Sequence, residues 1–337
     1  MQKATDAFNA LSQSNTQSSK PAPVPSSQEE CTREIEVPFS GFAREFFENH
    51  VKPTTSFSTA RSYEQILRVH FFPFFGHMNL HQIQRFDVAR YRAQKRAKLS
   101  AKTVNNHISL LSTMFKKAID WGYAHHNPAE LPRLKIEEKE MTWLNEWEVK
   151  QLLNAVREVY PHWEPFFVTA LFTGMRLGEL CALKWKSVYF DRCAIQVCAS
   201  FSNGHLKGTK SRKIRIVPLH HRVKEVLWPR QGQHDQLVFP NKEGGHLTQS
   251  MVANYLSRSL EKAGLRRIRI HDLRHTFASQ SVMKGIPLPQ VQQWLGHADI
   301  RTTMRYAHLA PAMGYDWIQR LGTEPEVPRQ VLKFKQK

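Results

Sequence analysis

The residues able to do chemistry concentrate in five short stretches of the second half of this chain. "TGMRLGEL" places Arg176 just after a glycine turn, with Glu179 one helical turn later to orient its guanidinium. "GTKSRKIRIVPL" crowds Lys207, Lys210, Arg212 and Lys213 together. In "HDLRHTFAS", His271 and Arg274 stand at i,i+3 and share one helical face. "WLGH" supplies His297, and "TTMRYAHL" supplies Tyr306 nine residues later. Together these groups suit metal-free phosphoryl transfer. Two arginines can grip the non-bridging oxygens of a phosphodiester through charge-assisted hydrogen bonds. They would also stabilise the extra charge of a pentacovalent transition state. A tyrosine supplies an oxygen nucleophile that ends as a phosphotyrosine. A lysine can protonate the departing oxygen, and a histidine can shuttle the tyrosine proton or orient the phosphate.

Each stretch also has an ordinary reading. A surface Arg–Glu pair at i,i+3 is worth only ~0.2–0.5 kcal/mol, and a lysine-rich turn can simply be solvated. Within "LGHADIRTTMRYAHL", Tyr306 can be a packing residue, with Ile300, Met304 and Leu309 facing a core and Asp299 capping a helix. His271 and His275 have the i,i+4 spacing of a zinc pair, but no Glu or third His completes the zincin pattern. The sequence shows no acidic cluster for a two-metal nuclease and no GxxxxGK[ST] phosphate loop. Neither a metal nor another cofactor is expected.

Positioning such groups takes folded units, and 337 residues suffice for two domains and a tail. Residues 1–36, rich in Ser, Gln and Pro, read as a disordered polar tail. Residues 37–131 read as all-helical. There "TARSYEQILRVHFFPFFG" is a helix broken at Pro73 and Gly76, and "NLHQIQRFDVARYRAQKRA" is a helix whose basic face carries Arg90, Arg92, Lys95 and Arg96. "LSAKTVNNHISLLSTMFKKAIDWGY" takes Ser100 as N-cap and buries Val104, Ile108, Leu111, Met114, Phe115 and Ile119. Residues 132–143, with a proline and a charge run, suit an interdomain linker. Residues 144–312 open on a capping box, Asn145 with Glu148. "CAIQVCAS" and "KIRIVPL" then read as strands. The second alternates imperfectly, because Ile214 and Val217 are apolar while Lys213 and Arg215 are not. The connector between them suggests a hairpin with an exposed basic tip, and helices return from "TQSMVANYLSRSLEKAGL" onward. Residues 313–337 read as a C-terminal tail. The fold class is mainly α with a small β-sheet (α+β).

Charge supplies the strongest global signal. The formal net charge is +19, and residues 1–36 hold three basic against five acidic residues, so the remaining 301 carry +21. A body this basic points to a polyanionic partner, with nucleic acid leading. Arg90, Arg92, Lys95, Arg96, Lys102, Lys207, Arg212 and Lys213 are the candidate DNA contacts. No run approaches the ~18–20 apolar residues of a membrane span, and the N-terminus lacks the apolar core of a signal peptide. A cytoplasmic protein with no membrane partner is expected. Cys31, Cys181, Cys193 and Cys198 form no CxxC pair and are read as reduced, packed thiols.

The order and spacing of the chemical motifs resemble those of the tyrosine recombinases, the phage integrase family. The matching residues are Arg176, Lys210, His271, Arg274, His297 and Tyr306. Each motif is weak alone, but six in register are not a chance match. The resemblance covers roughly residues 39–310 and makes the helical region similar to the family's core-type DNA-binding domain, followed by its catalytic domain. It implies strand exchange between two DNA duplexes without metal or ATP. Tyr306 would attack the scissile phosphate to give a 3′-phosphotyrosine and a 5′-hydroxyl. Arg176 and Arg274 would bind the phosphate with help from His297, and Glu179 would support Arg176. Lys210 would protonate the leaving 5′-oxygen, and His271 would serve in acid–base work. Lys210 is preferred to Lys207 because it stands eight residues before Pro218. Gly296 would turn His297 into the site, and Asp299 would restart the helix that presents Tyr306.

The resemblance also implies a C-shaped clamp on the duplex, a homo-tetramer on recombination sites and accessory DNA-bending or directionality factors. The setting would be a bacterial, nucleoid-associated enzyme that integrates or excises a phage or other mobile element. The N-terminal tail looks too short and polar for a separate arm-binding domain. The C-terminal tail, with Tyr315, Trp317, Ile318 and Leu321, would either dock on a neighbouring protomer or pack locally. Two rivals are a catalytically silent DNA-binding protein of the same fold and a type IB topoisomerase that relaxes DNA. The intact set of six argues against the first, and the "HDLRH" and "WLGH" stretches argue against the second.

Overall fold

The computed structural model describes residues 36–137, 141–208 and 214–311, and the chain divides into two compact units between Glu137 and Glu138. The first unit is helical: α1 (Phe39–Phe46), α2 (Lys52–Thr54), α3 (Phe57–Ile66), α4 (Phe72–Phe75), α5 (Arg85–Arg96) and α6 (Ala101–Asp120). Its core is built largely from aromatic rings: Phe115 is buried there, and Phe39, Phe42, Phe46, Phe71, Phe75 and Tyr91 meet mostly edge to face or tilted. Pro73 does not break the chain as expected. A π turn, Leu67–Phe71, runs from α3 into α4, with the Phe72 N–H donating to the Leu67 carbonyl. That widened register just ahead of Pro73 accommodates its ring and missing N–H, and the helix ends at Gly76.

Ser100 caps α6 by accepting the Thr103 N–H at 3.2 Å, as its position predicts. The buried stripe holds Val104, Ile108, Leu111, Met114 and Phe115, but Ile119 is 37% exposed. His107, Leu110 and Ala118 fill the inward face instead. The Tyr91 hydroxyl lies 2.9 Å from His107 Nδ1 inside this core. Burial drives the phenol pKa up and the imidazole down to about 4, so a protonated phenol faces a neutral ring.

Arg90 leaves the basic face expected on α5, whereas Arg92, Lys95 and Arg96, at i, i+3 and i+4, share one side of the helix. Arg90 and Arg92, two residues apart, project about 160° apart around the helix. Arg90 pairs with Asp87 and lies over the Phe74 ring. Arg92 donates to the Pro132 carbonyl, Arg96 donates to the Leu99 carbonyl, and Lys95 lies over the Tyr91 ring. Lys102 is exposed at the start of α6.

The second unit opens on α7 (Glu146–Val159), whose capping box closes in both directions, Glu148 N–H to Asn145 at 2.8 Å and Asn145 N–H to Glu148 at 2.7 Å. α8 (Glu164–Thr173) is apolar all round because it runs through the core, burying Phe166, Phe167, Val168, Ala170 and Leu171. α9 (Leu177–Cys181) follows, then β1 (Val188–Tyr189), β2 (Ala194–Val197), β3 (Ala199–Ser202), β4 (His205–Gly208) and β5 (Arg215–Pro218). β1, β2 and β5 form one antiparallel sheet, and β3 with β4 forms a separate hairpin. The connector between the two expected strands therefore holds strands of its own. The tip of its hairpin is Asn203–Gly204 rather than the basic run. Lys210, Arg212 and Lys213 lie outside the described residues.

β5 in fact alternates with period two. Val217 is buried and Ile216 exposed, and the inward slot two residues before Val217 is filled by Arg215. Ile214, just before the strand, is also exposed. The cysteines correct a second expectation. Cys181 is buried, but Cys193, in a turn with φ of 47°, and Cys198 are exposed rather than packed. Cys31 and the C-terminal residues Tyr315, Trp317, Ile318 and Leu321 lie outside the described residues. The unit finishes with α10 (His221–Leu227), α11 (Gln249–Lys262), α12 (Ile270–Met283), α13 (Leu288–Leu295) and α14 (Arg301–Met304). Among the described residues no helix is long and apolar enough to cross a membrane.

Candidate active site

Two left-handed glycine turns frame the site. Gly174, with φ of 62°, ends α8, and Gly296, with φ of 65°, ends α13. Neither position has room for a side chain. A Cβ on Gly174 would lie 2.3 Å from Phe277 Cδ1, and one on Gly296 would lie 2.8 Å from Arg215 Cδ. Both turns thus combine positive φ with close approach, the conditions only glycine meets.

Arginines tie the two turns together. Arg176 sits at the N-cap of α9, where Glu179 Oε2 accepts its backbone N–H at 2.7 Å. Its guanidinium donates to Glu179 Oε1 at 3.1 Å and to the Gly296 carbonyl at 3.2 Å. Arg274, only 3% exposed on α12, donates to the Gly174 carbonyl at 2.7 Å and the Leu295 carbonyl at 2.6 Å. Arg215 donates through Nε to the Trp294 carbonyl at 2.8 Å and through both terminal nitrogens to Glu179, at 2.8 and 2.6 Å. Three guanidiniums therefore cap three successive carbonyls, those of residues 294, 295 and 296, at the negative end of α13. Burial and the neighbouring Arg176 charge pull the Arg274 pKa down to about 9, which leaves it protonated at neutral pH.

His297 follows directly from the Gly296 turn. It is half-buried, with Nδ1 2.9 Å from the Thr303 hydroxyl. Burial, then the charges of Arg274 and Arg176, lower its pKa to about 3, so the ring is neutral. Tyr306 is 1% exposed, packed with Ala278, Val282, Val291 and Leu295. Its hydroxyl lies 2.6 Å from His275 Nδ1. Burial raises the Tyr306 pKa, with Arg274 and Arg305 pulling against it. Burial and then His271 lower that of His275 to about 4. A protonated phenol thus faces a neutral imidazole, and where the phenol donates, the ring's own proton sits on Nε2.

His271 is more exposed than Arg176, Arg274, His297 or Tyr306. Partial desolvation and then Arg274 lower its pKa. Its ring meets that of His275 edge-on at 4.9 Å. Among the described residues no group of three His, Cys, Asp or Glu is arranged to hold a metal ion.

The segment around Tyr306 departs from its expected packing. Ile300 and Met304 are exposed, and Thr303 and Tyr306 point inward in their place, with Leu309 partly buried beside them. α14 ends at Met304, so Tyr306 lies just beyond the helix rather than on it. Asp299 does serve the first turn, since its carboxylate accepts the Arg301 N–H at 2.9 Å. Lys207 lies in β4 opposite Ser200.

Three residues of the site were not picked out from the sequence. Arg215 escapes a sequence reading because an inward strand slot is expected to be apolar. His275 shows in the sequence only the spacing of a zinc pair, and Thr303 carries no signal at all. The period-two slot shared with Val217 was the clue to Arg215.

The family model described as "Phage integrase family" matches residues 142–313, and one described as "Phage integrase, N-terminal SAM-like domain" matches residues 39–96. The tyrosine recombinase XerC of Xanthomonas axonopodis pv. citri is 30% identical over 236 residues, 66% of this chain and 74% of that protein. Among solved structures, the Tn1549 transposon integrase in complex with a circular intermediate DNA superposes with a TM-score of 0.72 at 20% identity, covering 83% of this chain and 98% of that one. The lambda integrase tetramer bound to a Holliday junction gives 0.66 at 17% identity, with 80% of each chain covered.

Proposed function

The chain belongs to the phage integrase family and is a tyrosine recombinase, an enzyme of site-specific DNA strand breakage and rejoining; on that premise we propose which residues carry each step. Residues 144–312 form the catalytic domain and residues 37–131 the helical DNA-binding domain, and the partner is double-stranded DNA at recombination sites. Arg176 and Arg274 bind the non-bridging oxygens of the scissile phosphate. His297 adds a donor from Nε2, its Nδ1 accepting the Thr303 hydroxyl proton.

The Tyr306 oxygen attacks phosphorus as the bond from phosphorus to the 5′-oxygen breaks. The product is a 3′-phosphotyrosine and a 5′-hydroxyl. The phenol proton leaves to a histidine, His271 or the already bonded His275, and Lys210 protonates the departing 5′-oxygen. A 5′-hydroxyl from the second duplex then reverses the step and rejoins the strands. Exchange between two duplexes takes four such sites, so the working form is a homo-tetramer on DNA, the state seen for lambda integrase. We place the reaction on bacterial DNA in the cytoplasm, in the integration or excision of a mobile element.

One observation carries this reading. Arg176, Arg274 and His297, from three separated segments, converge on the Gly174 and Gly296 turns, and the Arg274 charge reaches the Tyr306 phenol. The test presents the full chain with duplexes nicked beside a randomised cleavage site, so that the short strand is lost after cleavage. A covalent adduct is expected on a denaturing gel with the wild type and none with Tyr306→Phe. An adduct that persists in Tyr306→Phe and vanishes in Tyr315→Phe would overturn the assignment.

A further inference from the structure

Arg215 is the one arginine of the cluster to which the mechanism gives no task, yet its side chain makes three hydrogen bonds there, against two each for those of Arg176 and Arg274. We propose that Arg215 is a positioning residue: it occupies Glu179 so that the Arg176 guanidinium stays free for the phosphate, and it clamps the turn that delivers His297. The inference rests on the roles given above to Arg176 and His297.

The Glu179 side chain is 4% exposed. A buried carboxylate must be matched by charge and hydrogen bonds. Burial alone would raise its pKa, but the bonds and charge of Arg215, then those of Arg176, outweigh that and hold it low. The two arginines are not equal partners. Arg215, 10% exposed, meets both carboxylate oxygens, at 2.8 and 2.6 Å. Arg176 makes one longer side-chain bond, 3.1 Å, to an oxygen already held by Arg215, and its side chain is 43% exposed. Arg215 thus neutralises Glu179 and leaves the charges of Arg176 and Arg274 for an incoming phosphate. Without Arg215, Arg176 is the nearest cation left to Glu179 and is drawn onto it.

The second half of the role is mechanical. Arg215 projects from β5, whose pairing with β2 places it opposite Val197. Its Nε holds the Trp294 carbonyl two residues before Gly296. The missing Cβ of Gly296 is the space through which its side chain passes. A lysine at this position lacks the planar fork needed to meet two carboxylate oxygens and a carbonyl at once.

The test measures single-turnover adduct formation at saturating DNA, using a nicked duplex that the wild type itself captures from the randomised pool. Arg215→Gln is expected to slow the adduct about 10- to 100-fold, as misplaced catalytic groups do, while duplex affinity changes by less than about twofold. Arg215→Lys is expected to be slow as well. In an Arg176→Gln background the same Arg215→Gln change is expected to slow the reaction less than about threefold, because groups that act as a unit are not additive. On a duplex with a methylphosphonate at the scissile position, which lacks one charged oxygen, the Arg215→Gln deficit should shrink; a merely loosened fold would keep it. Wild-type speed in Arg215→Gln, or full multiplication of the two defects, overturns the proposal. Where Arg215→Gln does not fold, the same cycle with Arg215→Lys decides it. Failure of the wild type to form an adduct on any duplex, or an adduct in Tyr306→Phe, strikes the assignment of the reaction itself and not Arg215 alone.

Discussion

Removing the Tyr306 hydroxyl should cost stability as well as chemistry. The phenol oxygen lies 2.6 Å from His275 Nδ1, and the two side chains are 1% and 7% exposed. Tyr306→Phe leaves the ring in place but strands a buried acceptor, at a cost of about 1–3 kcal/mol. Phe has no hydroxyl to desolvate, which offsets part of that cost, so a net loss of ~1–2 kcal/mol is expected. For a unit of about 200 residues each kcal/mol lowers Tm by about 2–4 °C. Urea unfolding at pH 7.5 measures the loss as a lower midpoint with an unchanged m-value. A double-mutant cycle with His275→Phe should return a coupling of about 1 kcal/mol or more. Nitrogen-15 spectra should find the His275 proton on Nε2. The sign is the diagnostic part, because deleting a functional group from an active site commonly stabilises a protein. A Tyr306→Phe variant as stable as the wild type, or more so, would refute the reasoning: the nucleophile would not be held by His275 before DNA binds.

Gly296→Ala should lower stability by about 1–3 kcal/mol, the strain of a left-handed alanine, and should slow adduct formation about 10-fold by displacing Arg215; a wild-type rate would remove the spatial argument. Stability should also fall on acidification. The folded-state pKa values of His107 and His275, about 4, lie below the ordinary 6.5, so their contribution is complete above pH 6.5 and is lost as pH drops toward 4. Thermal melts at pH 6.5 and 5 should differ by about 1–2 kcal/mol per histidine, and His107→Gln should flatten that slope. Lys210→Ala should slow cleavage of an ordinary duplex but not of one whose 5′-bridging oxygen is sulfur, since a thiolate leaves without a proton; equal slowing on both would move the acid elsewhere, with Lys207→Ala the next variant. Duplex affinity should fall steeply with salt. Lys102→Ala should reduce that slope by about one phosphate, and Arg90→Ala should change it less, because Arg90 is already paired with Asp87.

Local features of the fold were legible in the sequence because their causes are local. The Ser100 cap, the Asn145–Glu148 box and the glycine turns at 174 and 296 each depend on residues within one turn of chain. Where long-range packing decides, the reading failed. Pro73 stays inside a helix because a π turn precedes it, and Ile119 reaches solvent although it continues an apolar stripe. Ile300 and Met304 gave up the interior to Thr303 and Tyr306 because the segment had to bring a phenol to His275.

The sequence by itself determined most of the chemical groups of the site, Arg215 and Thr303 excepted. Helical period puts His271 and Arg274 on one face, and spacing along the chain sets His297 close before Tyr306. It also determined the direction of the charge, a body of +21 behind an acidic tail. Only the tertiary structure decided who bonds to whom. Glu179 meets Arg215 from 36 positions away, Gly174 meets Arg274 from 100, and Gly296 meets Arg176 from 120. A helix or strand period reports which way a side chain points. It carries nothing about which carbonyl or carboxylate will be waiting there, because that partner arrives on another segment, placed by the packing of the core between them.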